Sequence, residues 1–381
     1  MEKLKSEWTE YELGELLSYE QPTPYLVSST DYSDKFDTPV LTAGKTFVLG
    51  YTDEKDGIYD ALPVIIFDDF TTASRYVNFK FKVKSSAMKI LTPNTELVLP
   101  KFIYYRMQVI QFDHSTHKRY WIQQYSKIKV KIPPLAEQER IVARIEELFS
   151  ELDKGVETLQ KIKQQLAVYR QAVLKKAFEN LNGTVYSVED VCEEVKVGIV
   201  IKPSQYYTTM EHGVKAFRSA NVREFRVDDF NWVYLSKEGQ EKNERTIVHA
   251  GDVLVVRSGY PGTACVVPPE FEGCNAIDVL IAVPDKEKIL PEYLCAYTNS
   301  PFGKMFVSEK KRGVGQKHFN VGGYSKMKIG VPDFTKQKEI VSQIDSELSI
   351  CNQIYKTIEM SLQQSKAMRQ SILRLAFEGR L

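Results

Sequence analysis

Residues 133–142 read PPLAEQERIV, and residues 332–341, which lie 199 positions later, read PDFTKQKEIV. The likeness continues without a gap to a shared ending, AFE, at residues 177–179 and 376–378, and fifteen of the 47 aligned pairs are identical. The same shift also aligns YSK at residues 125–127 with YSK at residues 324–326. A self-match of this length indicates internal duplication, so we predict a chain built twice on one plan.

Each copy of the repeat has the apolar spacing of a long helix. Apolar residues recur at alternating steps of four and three, which is typical of a helix packed along one stripe against another helix. Pro133-Pro134 cannot lie inside a helix and therefore marks the start of the first one. We predict that the two helices pack as an antiparallel coiled coil. The alternative is that each helix belongs to the core of its own domain. The predicted seam consists of Ile141, Ile145, Leu148, Leu152, Leu159, Leu166, Ile340, Ile344, Ile354, Ile358, Met368 and Ile372.

Composition predicts a soluble globular protein of two or three domains, since the 381 residues are 43% hydrophobic and 27% charged. No apolar run reaches the length of a membrane span, and the first residues do not resemble a signal peptide. The five cysteines are odd in number and contain no Cys-x-x-Cys, which favours reduced thiols in a cytoplasm over a disulfide framework or a zinc site.

Two variable segments, 1–131 and 182–331, precede the two helical segments, 132–181 and 332–381. Both contain short strand-like runs separated by turn residues, and LPKF at 99–102 resembles LPEY at 290–293, so we expect related globular domains. The predicted fold class is α+β: two α/β domains joined and separated by the long helices, with pseudo-twofold internal duplication. We predict strands at 46–49, 63–67, 76–83, 213–217, 252–257, 263–267 and 276–283, and helices at 99–111, 187–194 and 291–297.

The net charge of +1 conceals two basic windows, 101–131 and 304–328, each with a net charge of +6. Both windows also carry amides and aromatic residues. Basic groups neutralise phosphates, and Arg, Asn and Gln can hydrogen-bond to base edges, so both windows predict nucleic-acid binding rather than merely solvated surfaces. The predicted DNA-binding residues are Arg75, Lys118, Arg119, Gln123, Lys127, Arg218, Asn221, Arg257, Ser258, Lys311, Arg312, Gln316, Lys317 and Asn320. We expect base contacts from Arg218, Asn221 and Arg257.

The sequence contains no convincing set of catalytic residues. It lacks a Gly-x-Gly-x-x-Gly motif and a phosphate-binding loop. Asp113-His114-x-x-His117 has a loosely metal-like spacing, but a solvated loop is the better interpretation. Asp285, Glu309 and Lys311 formally fit a loose pattern of metal-dependent nucleases, which gives a rival hypothesis of a stand-alone nuclease. A third hypothesis is a coiled-coil scaffold whose globular domains bind protein.

Several motifs resemble those of type I restriction-modification specificity subunits. IPPLAEQERIV at 132–142, together with the following helix and its AFE ending, resembles the conserved region of that family. GDVLVVRSG at 251–259, followed by Gly262, is similar to the strand and turn of the family's target recognition domains. The second copy departs from the pattern with Lys336 where Glu is usual. Residues 43–70 also lack the Gly-Asp-x-Leu-x-x-Arg motif.

The resemblance implies that 1–131 and 182–331 are target recognition domains, each reading one half of a bipartite, asymmetric site in double-stranded DNA. It implies that 132–181 and 332–381 form a helical spacer. The expected partners are two methyltransferase subunits and the restriction subunits, with no membrane. Catalytic residues, metals and cofactors are expected to be absent from this chain, because S-adenosylmethionine, magnesium and ATP belong to the partner subunits. The expected location is the cytoplasm of a bacterium or archaeon.

Overall fold

The computed structural model describes residues 8–44, 46–113, 119–179, 183–312 and 319–381, with the backbone alone for 310–312. The chain forms two compact units. Unit 1 contains Met1–Leu159 and Glu359–Leu381, and unit 2 contains Gln160–Ile358. The boundaries expected from the sequence separate recognition segments from spacer segments. The division into compact units does not test such boundaries, and they remain predictions. In the described residues, no helix is both long enough and apolar enough to cross a membrane.

Unit 1 holds a four-stranded antiparallel sheet in the order β2-β8-β5-β6, a three-stranded sheet in the order β4-β3-β7 and the pair β1-β9. Its elements are β1 (Thr9–Glu12), α1 (Leu13–Leu16), β2 (Leu17–Glu20), β3 (Thr38–Leu41), β4 (Val48–Thr52), β5 (Val64–Asp68), β6 (Ser74–Val77), β7 (Lys82–Val83), β8 (Met88–Pro93), α2 (Pro100–Met107), β9 (Lys129–Ile132) and the start of α3 (Leu135–Phe178).

Unit 2 holds the four-stranded sheets β11-β20-β17-β18 and β12-β16-β13-β19, with the pairs β10-β21 and β14-β15. Its elements begin with β10 (Thr184–Ser187), β11 (Cys192–Val197), β12 (Tyr207–Thr208), β13 (Gly213–Phe217), β14 (Val222–Arg223), β15 (Arg226–Val227), β16 (Val233–Ser236) and α4 (Lys237–Lys242). They continue with β17 (Val253–Val256), β18 (Ala264–Val266), β19 (Asn275–Ala276), β20 (Val279–Pro284), α5 (Pro291–Asn299), α6 (Pro301–Arg312), α7 (Val321–Ser325), β21 (Lys328–Val331) and the start of α8 (Phe334–Phe377).

The two units share the strand order of their first sheet and the parallel pair of their second, which confirms the predicted duplication. The sheet β2-β8-β5-β6 corresponds strand by strand to β11-β20-β17-β18. In both units a parallel pair follows in the second sheet, β3 with β7 and β13 with β19. The 199-residue shift carries β9 onto β21 and α3 onto α8 with identical bounds. The α+β fold class is therefore confirmed.

In unit 1 the first half of α3 packs against the last part of α8. Arg140 donates to the carbonyl oxygen of Leu381 at 3.4 Å, while Asp153, further along α3, pairs with Arg369. The Arg369 guanidinium also lies 4.3 Å from the ring centroid of Phe149. Because residue numbers rise along one helix and fall along the other, the pairing is antiparallel.

In unit 2 the second half of α3 packs against the first part of α8, again antiparallel. Lys163 lies 5.0 Å from the ring centroid of Tyr355, and the Tyr169 hydroxyl donates to Glu347 at 2.8 Å. Beyond these contacts the buried residues of the two helices join one apolar core, which includes Leu174, Phe178, Ile340, Ile344 and Leu348. The antiparallel coiled coil predicted from the sequence is confirmed within each unit.

Ten of the twelve predicted seam residues are buried or half-buried, and two are not. Ile354 is 41% exposed and Met368 is 52% exposed, so the prediction was wrong for both. Among the half-buried positions on this part of α8 are Leu362, Ser365 and Arg369, which continue from buried Ile358 in steps of four, three and four. Met368 precedes Arg369 by one residue, and one residue rotates a side chain by about 100° around a helix axis.

A glutamine that is identical in both copies of the repeat is buried and has a structural role. The Gln138 amide accepts a hydrogen bond from the backbone N–H of Leu99 at 2.8 Å and donates to the carbonyls of Leu97 and Pro133. Gln337 makes the same three bonds, to Leu290, Lys288 and Pro332. Both side chains are fully buried. Each glutamine therefore fixes the start of a long helix to the start of the short helix before it.

The shared AFE ending has an equally specific role. In unit 1, Phe377 at the end of α8 packs edge-on against Phe102 of α2, with ring centroids 5.3 Å apart. In unit 2, Phe178 at the end of α3 packs against Tyr293 of α5 at the same 5.3 Å. Each unit thus receives the end of one long helix and the start of the other.

Two expectations for shorter elements were wrong. The predicted helix at 187–194 is a single 3-10 turn at Val188–Asp190 followed by strand β11, although the Ser187 N–H donates to the Asp190 carboxylate at 2.8 Å as in a helix N-terminal cap. The predicted strand at 76–83 breaks into β6 and β7, which lie in different sheets. In both cases a local pattern was interrupted by a turn that the apolar spacing does not reveal.

Candidate nucleic-acid interface

In unit 2 the central strand β17 ends at an exposed turn. All four residues of β17 are buried between β18 and β20, and residues 257–263 lead from β17 to β18. Gly259 and Gly262 adopt φ angles of 79° and 83°, which glycine tolerates because it has no Cβ. The turn presents Tyr260, which is 86% exposed. The glycines of the sequence motif therefore serve the backbone of this turn.

The start of the same motif also has a structural role. Gly251 has a φ of 98°, and the Asp252 carboxylate accepts a hydrogen bond from the backbone N–H of His249 at 2.8 Å. Asp252 is 3% exposed, and this burial raises the pKa of its carboxyl group. Gly251 and Asp252 thus direct the chain into β17.

A cavity of about 830 Å³ opens beside the turn. Its lining includes Ser219, Val222, Val256, Tyr260, Pro261 and Thr263. Two cations also line it, and each has a carboxylate partner: Lys304 pairs with Glu224, and Arg223 lies 3.2 Å from Asp228. Because these cations are paired, a ligand in this cavity would be bound mainly through shape and apolar contacts.

Arg257 directly follows β17, and its side chain is turned inward. Its Nη1 lies 2.5 Å from a carboxylate oxygen of Asp278, and its Nε donates to the carbonyl oxygen of Phe319 at 3.0 Å. The Phe319 N–H in turn donates to the Arg257 carbonyl at 3.2 Å. The Arg257 side chain is only 14% exposed. The residue is near the exposed turn, but these contacts hold its guanidinium within the unit.

Asn221 cannot read a base in this arrangement, contrary to the expectation from the sequence. It is fully buried, and its amide donates to the carbonyls of Asp228 and Phe230 while accepting from the Arg218 N–H at 3.0 Å. These bonds join the segment before β14 to the segment after β15. Arg218 is half-buried and donates to the carbonyl of Asn231. Asn221 is therefore a structural residue, and Arg218 retains a partly exposed surface.

The remaining predicted residues of unit 2 are less completely described. Ser258 is half-buried and lines the cavity. Asn320 is exposed and caps α7, since its side chain accepts from the Gly323 N–H at 2.7 Å. Lys311 and Arg312 belong to α6, whose last side chains are not described. Gln316 and Lys317, like Lys118 in the first basic window, lie outside the described residues.

Unit 1 has an exposed turn at the equivalent place, between β5 and β6. It presents Phe70, which is 44% exposed, and Thr72 adopts a positive φ of 56°. Arg75 follows on β6, where it is half-buried and donates to the Gly44 carbonyl at 3.3 Å. The turn is shorter than its counterpart and contains no glycine.

Three predicted residues of the first basic window lie on the surface of unit 1. Arg119, Gln123 and Lys127 are exposed around a segment whose aromatic residues Trp121 and Tyr125 are buried. These aromatics pack against Phe67 of β5, with ring centroids 5.2 Å and 4.9 Å away. The aromatic residues in this window therefore form core, and the polar residues between them form the surface that a phosphate could reach.

The residues of the nuclease hypothesis do not form a recognisable metal site. Asp285 is bound by Lys288 at 2.9 Å and accepts from the Glu287 N–H, and these bonds lower the pKa of its carboxyl group. Among the described residues, no group of three or more His, Cys, Asp or Glu side chains could hold a metal ion. His114 and His117 of the other loosely metal-like pattern lie outside the described residues.

The five cysteines are all buried and free, as expected for reduced thiols. Burial raises the pKa of Cys265 and Cys192 to about 12, so both thiols stay protonated at neutral pH.

Some residues at this candidate interface have no signal in the sequence patterns. Tyr260 and Phe70 are exposed aromatics at equivalent turns, and Asp278 is the partner of Arg257. The sheet register also identifies residues 63–69, PVIIFDD, as the counterpart of GDVLVVR at 251–257. The 188-residue shift of this segment differs from the 199-residue shift of the long helices, so the repeat at 199 residues does not align it.

Comparison with known proteins places these features in a family. The family model described as Type I restriction modification DNA specificity domain matches residues 5–166 and 182–364. The chain is 31% identical over 377 residues to the type I restriction enzyme EcoR124I/EcoR124II specificity subunit of Escherichia coli, covering 93% of this chain and 90% of that protein. It is 26% identical over 278 residues to the EcoKI specificity subunit of E. coli strain K12, covering 68% of this chain and 58% of that one.

Solved structures share the fold at lower sequence identity. A chain from a structure described as the basis of complex assembly and conformational transition of the type I R-M system matches with a TM-score of 0.74 and 16% identity, covering 99% of both chains. The HsdS subunit from Thermoanaerobacter tengcongensis matches with a TM-score of 0.53 and 16% identity, covering 99% of this chain and 98% of that one.

Proposed function

Because the chain belongs to the type I restriction-modification DNA specificity family, it is a non-catalytic DNA sequence-specificity subunit, and we propose that each of its units reads a different half of a bipartite, asymmetric DNA site. One observation carries this proposal. The same strand of the same sheet ends in an exposed turn in both units, yet the two turns have different side chains.

The chemistry of the two turns supports an asymmetric site. Unit 1 presents Phe70 between acidic and threonine residues, whereas unit 2 presents Tyr260 between glycine and proline beside a large cavity. Base edges are distinguished by hydrogen-bond donors, acceptors and apolar contacts, so different side chains on one framework select different bases. Arg119, Gln123 and Lys127 in unit 1 and Arg218, Ser258 and Asn320 in unit 2 are proposed DNA contacts.

The long helices supply the spacer in this proposal. Each has 44 residues and contributes to both units, so the gap between half-sites would follow from helix length. Half-sites read from one side of a duplex lie about one helical turn, roughly 34–36 Å, apart. An insertion or deletion in both helices would therefore change the gap and leave both half-sites unaltered.

The partner subunits are assigned by family membership. We propose that the chain binds double-stranded DNA and assembles with two methyltransferase subunits and with restriction subunits in the cytoplasm of a bacterial cell. S-adenosylmethionine, magnesium and ATP would be bound by those partners, and this chain would bind none of them.

Mapping adenine methylation across the host genome, with and without this gene, tests the proposal. We expect a single split motif, two short half-sites with a fixed gap, to lose its methylation on deletion. Replacing residues 182–331 by those of a relative should then change one half-site and preserve the other. An unchanged methylation map in cells that express active partner subunits would contradict the proposal.

A further inference from the structure

Arg257 connects three separate segments of unit 2. It directly follows the central strand β17, its Nη1 lies 2.5 Å from Asp278 just before β20, and its Nε and backbone bind Phe319 just before α7. Asp278 has a φ of 50° and so turns the chain sharply where it meets the guanidinium. These contacts fix the position from which the exposed turn at 258–262 begins.

Unit 1 has a charged residue at the same position, but of opposite sign. In β5 and β8 Ile65 pairs with Leu91, and in β17 and β20 Val253 pairs with Ala282. Leu91 and Ala282 lie nine residues before the prolines that start α2 and α5, and so they correspond. Four residues beyond Ile65 is Asp69, and four residues beyond Val253 is Arg257.

Asp69 makes the same kinds of contact as Arg257. Its carboxylate lies 3.3 Å from the Lys89 ammonium group on β8 and accepts from the Trp121 N–H at 2.8 Å. Its carbonyl accepts from the Tyr120 N–H at 2.9 Å. Tyr120 is the counterpart of Phe319 under the 199-residue shift, so both anchors bind the same segment.

We infer that Asp69 and Arg257 are equivalent positioning residues, which hold the exposed turn of each unit for DNA recognition through oppositely charged anchors and do not contact DNA themselves. This inference rests on the proposed function and deepens it. Arg257, which from its sequence motif was expected to read a base, acts through the turn that it supports. Two donors of Arg257 are engaged by a carboxylate and a carbonyl, and turning the guanidinium away to read a base would break both bonds and leave the carboxylate partner without its cation.

The partner of Arg257 provides the sharpest test. Asp278→Asn removes the charge and keeps a residue that tolerates a positive φ. If Arg257 is an anchor, Asp278→Asn and Arg257→Gln each weaken binding to a duplex carrying the mapped site by about tenfold. The double variant binds no worse than the weaker single variant, because both substitutions remove the same contact. Arg257→Lys restores part of the affinity.

Salt dependence separates an anchor from a phosphate contact. The affinity of the complex with its methyltransferase subunits for the duplex is measured against salt concentration. Arg245→Gln is the control, since Arg245 is an arginine that is 86% exposed and pairs with Glu194. For an anchor, the slope of log affinity against log salt remains that of the wild type. Loss of a phosphate contact reduces the slope by about 0.9.

Hydrogen exchange tests the anchor without DNA. Amides of 258–262 should exchange faster in Asp278→Asn than in the wild type, while those of β17 and β20 remain protected. A reduced salt slope in Arg257→Gln, unchanged or tighter binding in Asp278→Asn, or unchanged exchange of the turn would overturn the inference. Failure of the proposed function can be told apart from failure of this inference. It would appear as the absence of a split methylation motif, independently of the exchange rates of the turn.

Discussion

Units 1 and 2 have the same strand order in their first sheet, the same buried glutamine and the same packing of a terminal phenylalanine, but they differ at two charged pairs that join elements. Asp69 pairs with Lys89 in unit 1, whereas its counterpart Arg257 pairs with Asp278 in unit 2. The two partners lie at different positions, because Met88 aligns with Val279 and Lys89 therefore corresponds to Leu280. The backbone bonds around these pairs remain. The difference indicates that the framework depends on backbone and apolar contacts, whereas both the charge of the anchor and the position of its partner differ between the units.

A second pair differs in a less balanced way. Lys101 of α2 pairs with Glu146 of α3 in unit 1. The equivalent residues of unit 2 are Glu292 of α5 and Asp345 of α8, two carboxylates. Burial first, and then the charge of Glu292, raises the pKa of Asp345. Unit 2 therefore has a repulsion where unit 1 has an attraction.

The largest effect is expected from breaking the buried anchor of unit 1. Asp69→Asn leaves the Lys89 ammonium group, 1% exposed, without its carboxylate, and should lower the free energy of unfolding by about 3 kcal/mol. Urea denaturation followed by tryptophan fluorescence measures it. Asp60→Asn is the matched control, because the Asp60–Lys80 pair is exposed and should contribute at most about 0.5 kcal/mol. Equal effects of the two substitutions would show that Asp69 is no anchor.

The buried glutamines should give an intermediate effect that is the same in both units. Gln138→Leu and Gln337→Leu each remove three hydrogen bonds and leave buried backbone groups unpaired, which should cost about 2 kcal/mol. Hydrogen exchange at the start of α2 and of α5 locates each loss. A large effect in one unit with none in the other would show that the two glutamines have diverged in role.

The smallest effect should come from repairing the repulsion of unit 2. Glu292→Lys recreates the pair of unit 1 and should stabilise unit 2 by about 0.5 kcal/mol, since both positions are partly exposed. Thermal unfolding measures the change, and Lys101→Glu in unit 1 is the reciprocal variant, expected to destabilise by a similar amount. A destabilising Glu292→Lys would mean that its neighbours do not accept a cation.

The pH dependence of stability tests whether repulsion between Glu292 and Asp345 causes the stability change expected in Glu292→Lys. A carboxyl group with a raised pKa binds its proton more tightly when folded than when unfolded. Its stabilising contribution is therefore present at low pH and is lost as pH rises through the folded pKa. Asp345 should thus make wild-type unit 2 less stable between its ordinary pKa of 3.8 and neutral pH, and Glu292→Lys should reduce this loss.

The sequence predicted the long helices and their pairing because 44 residues of regular apolar spacing, written twice, leave little ambiguity. The sheets were harder, since their strands are two to six residues long and corresponding strands lie at different shifts. Asn221 and Arg257 were assigned to bases because their residue types suit base recognition. Their actual partners, backbone carbonyls and Asp278, come from segments that only the fold brings near.

The composition of the units has a consequence for how the protein is made. Unit 2 consists of consecutive residues, Gln160–Ile358, whereas unit 1 also needs Glu359–Leu381. During translation, domains generally fold as units, those nearest the N-terminus first. Here the order is reversed: unit 2 can be completed on the ribosome while unit 1, begun earlier, still awaits the helical residues that cover Phe102 and Ile141. After residue 159 is made, the nascent chain therefore carries an unfinished unit 1 core until residues 359–381 follow.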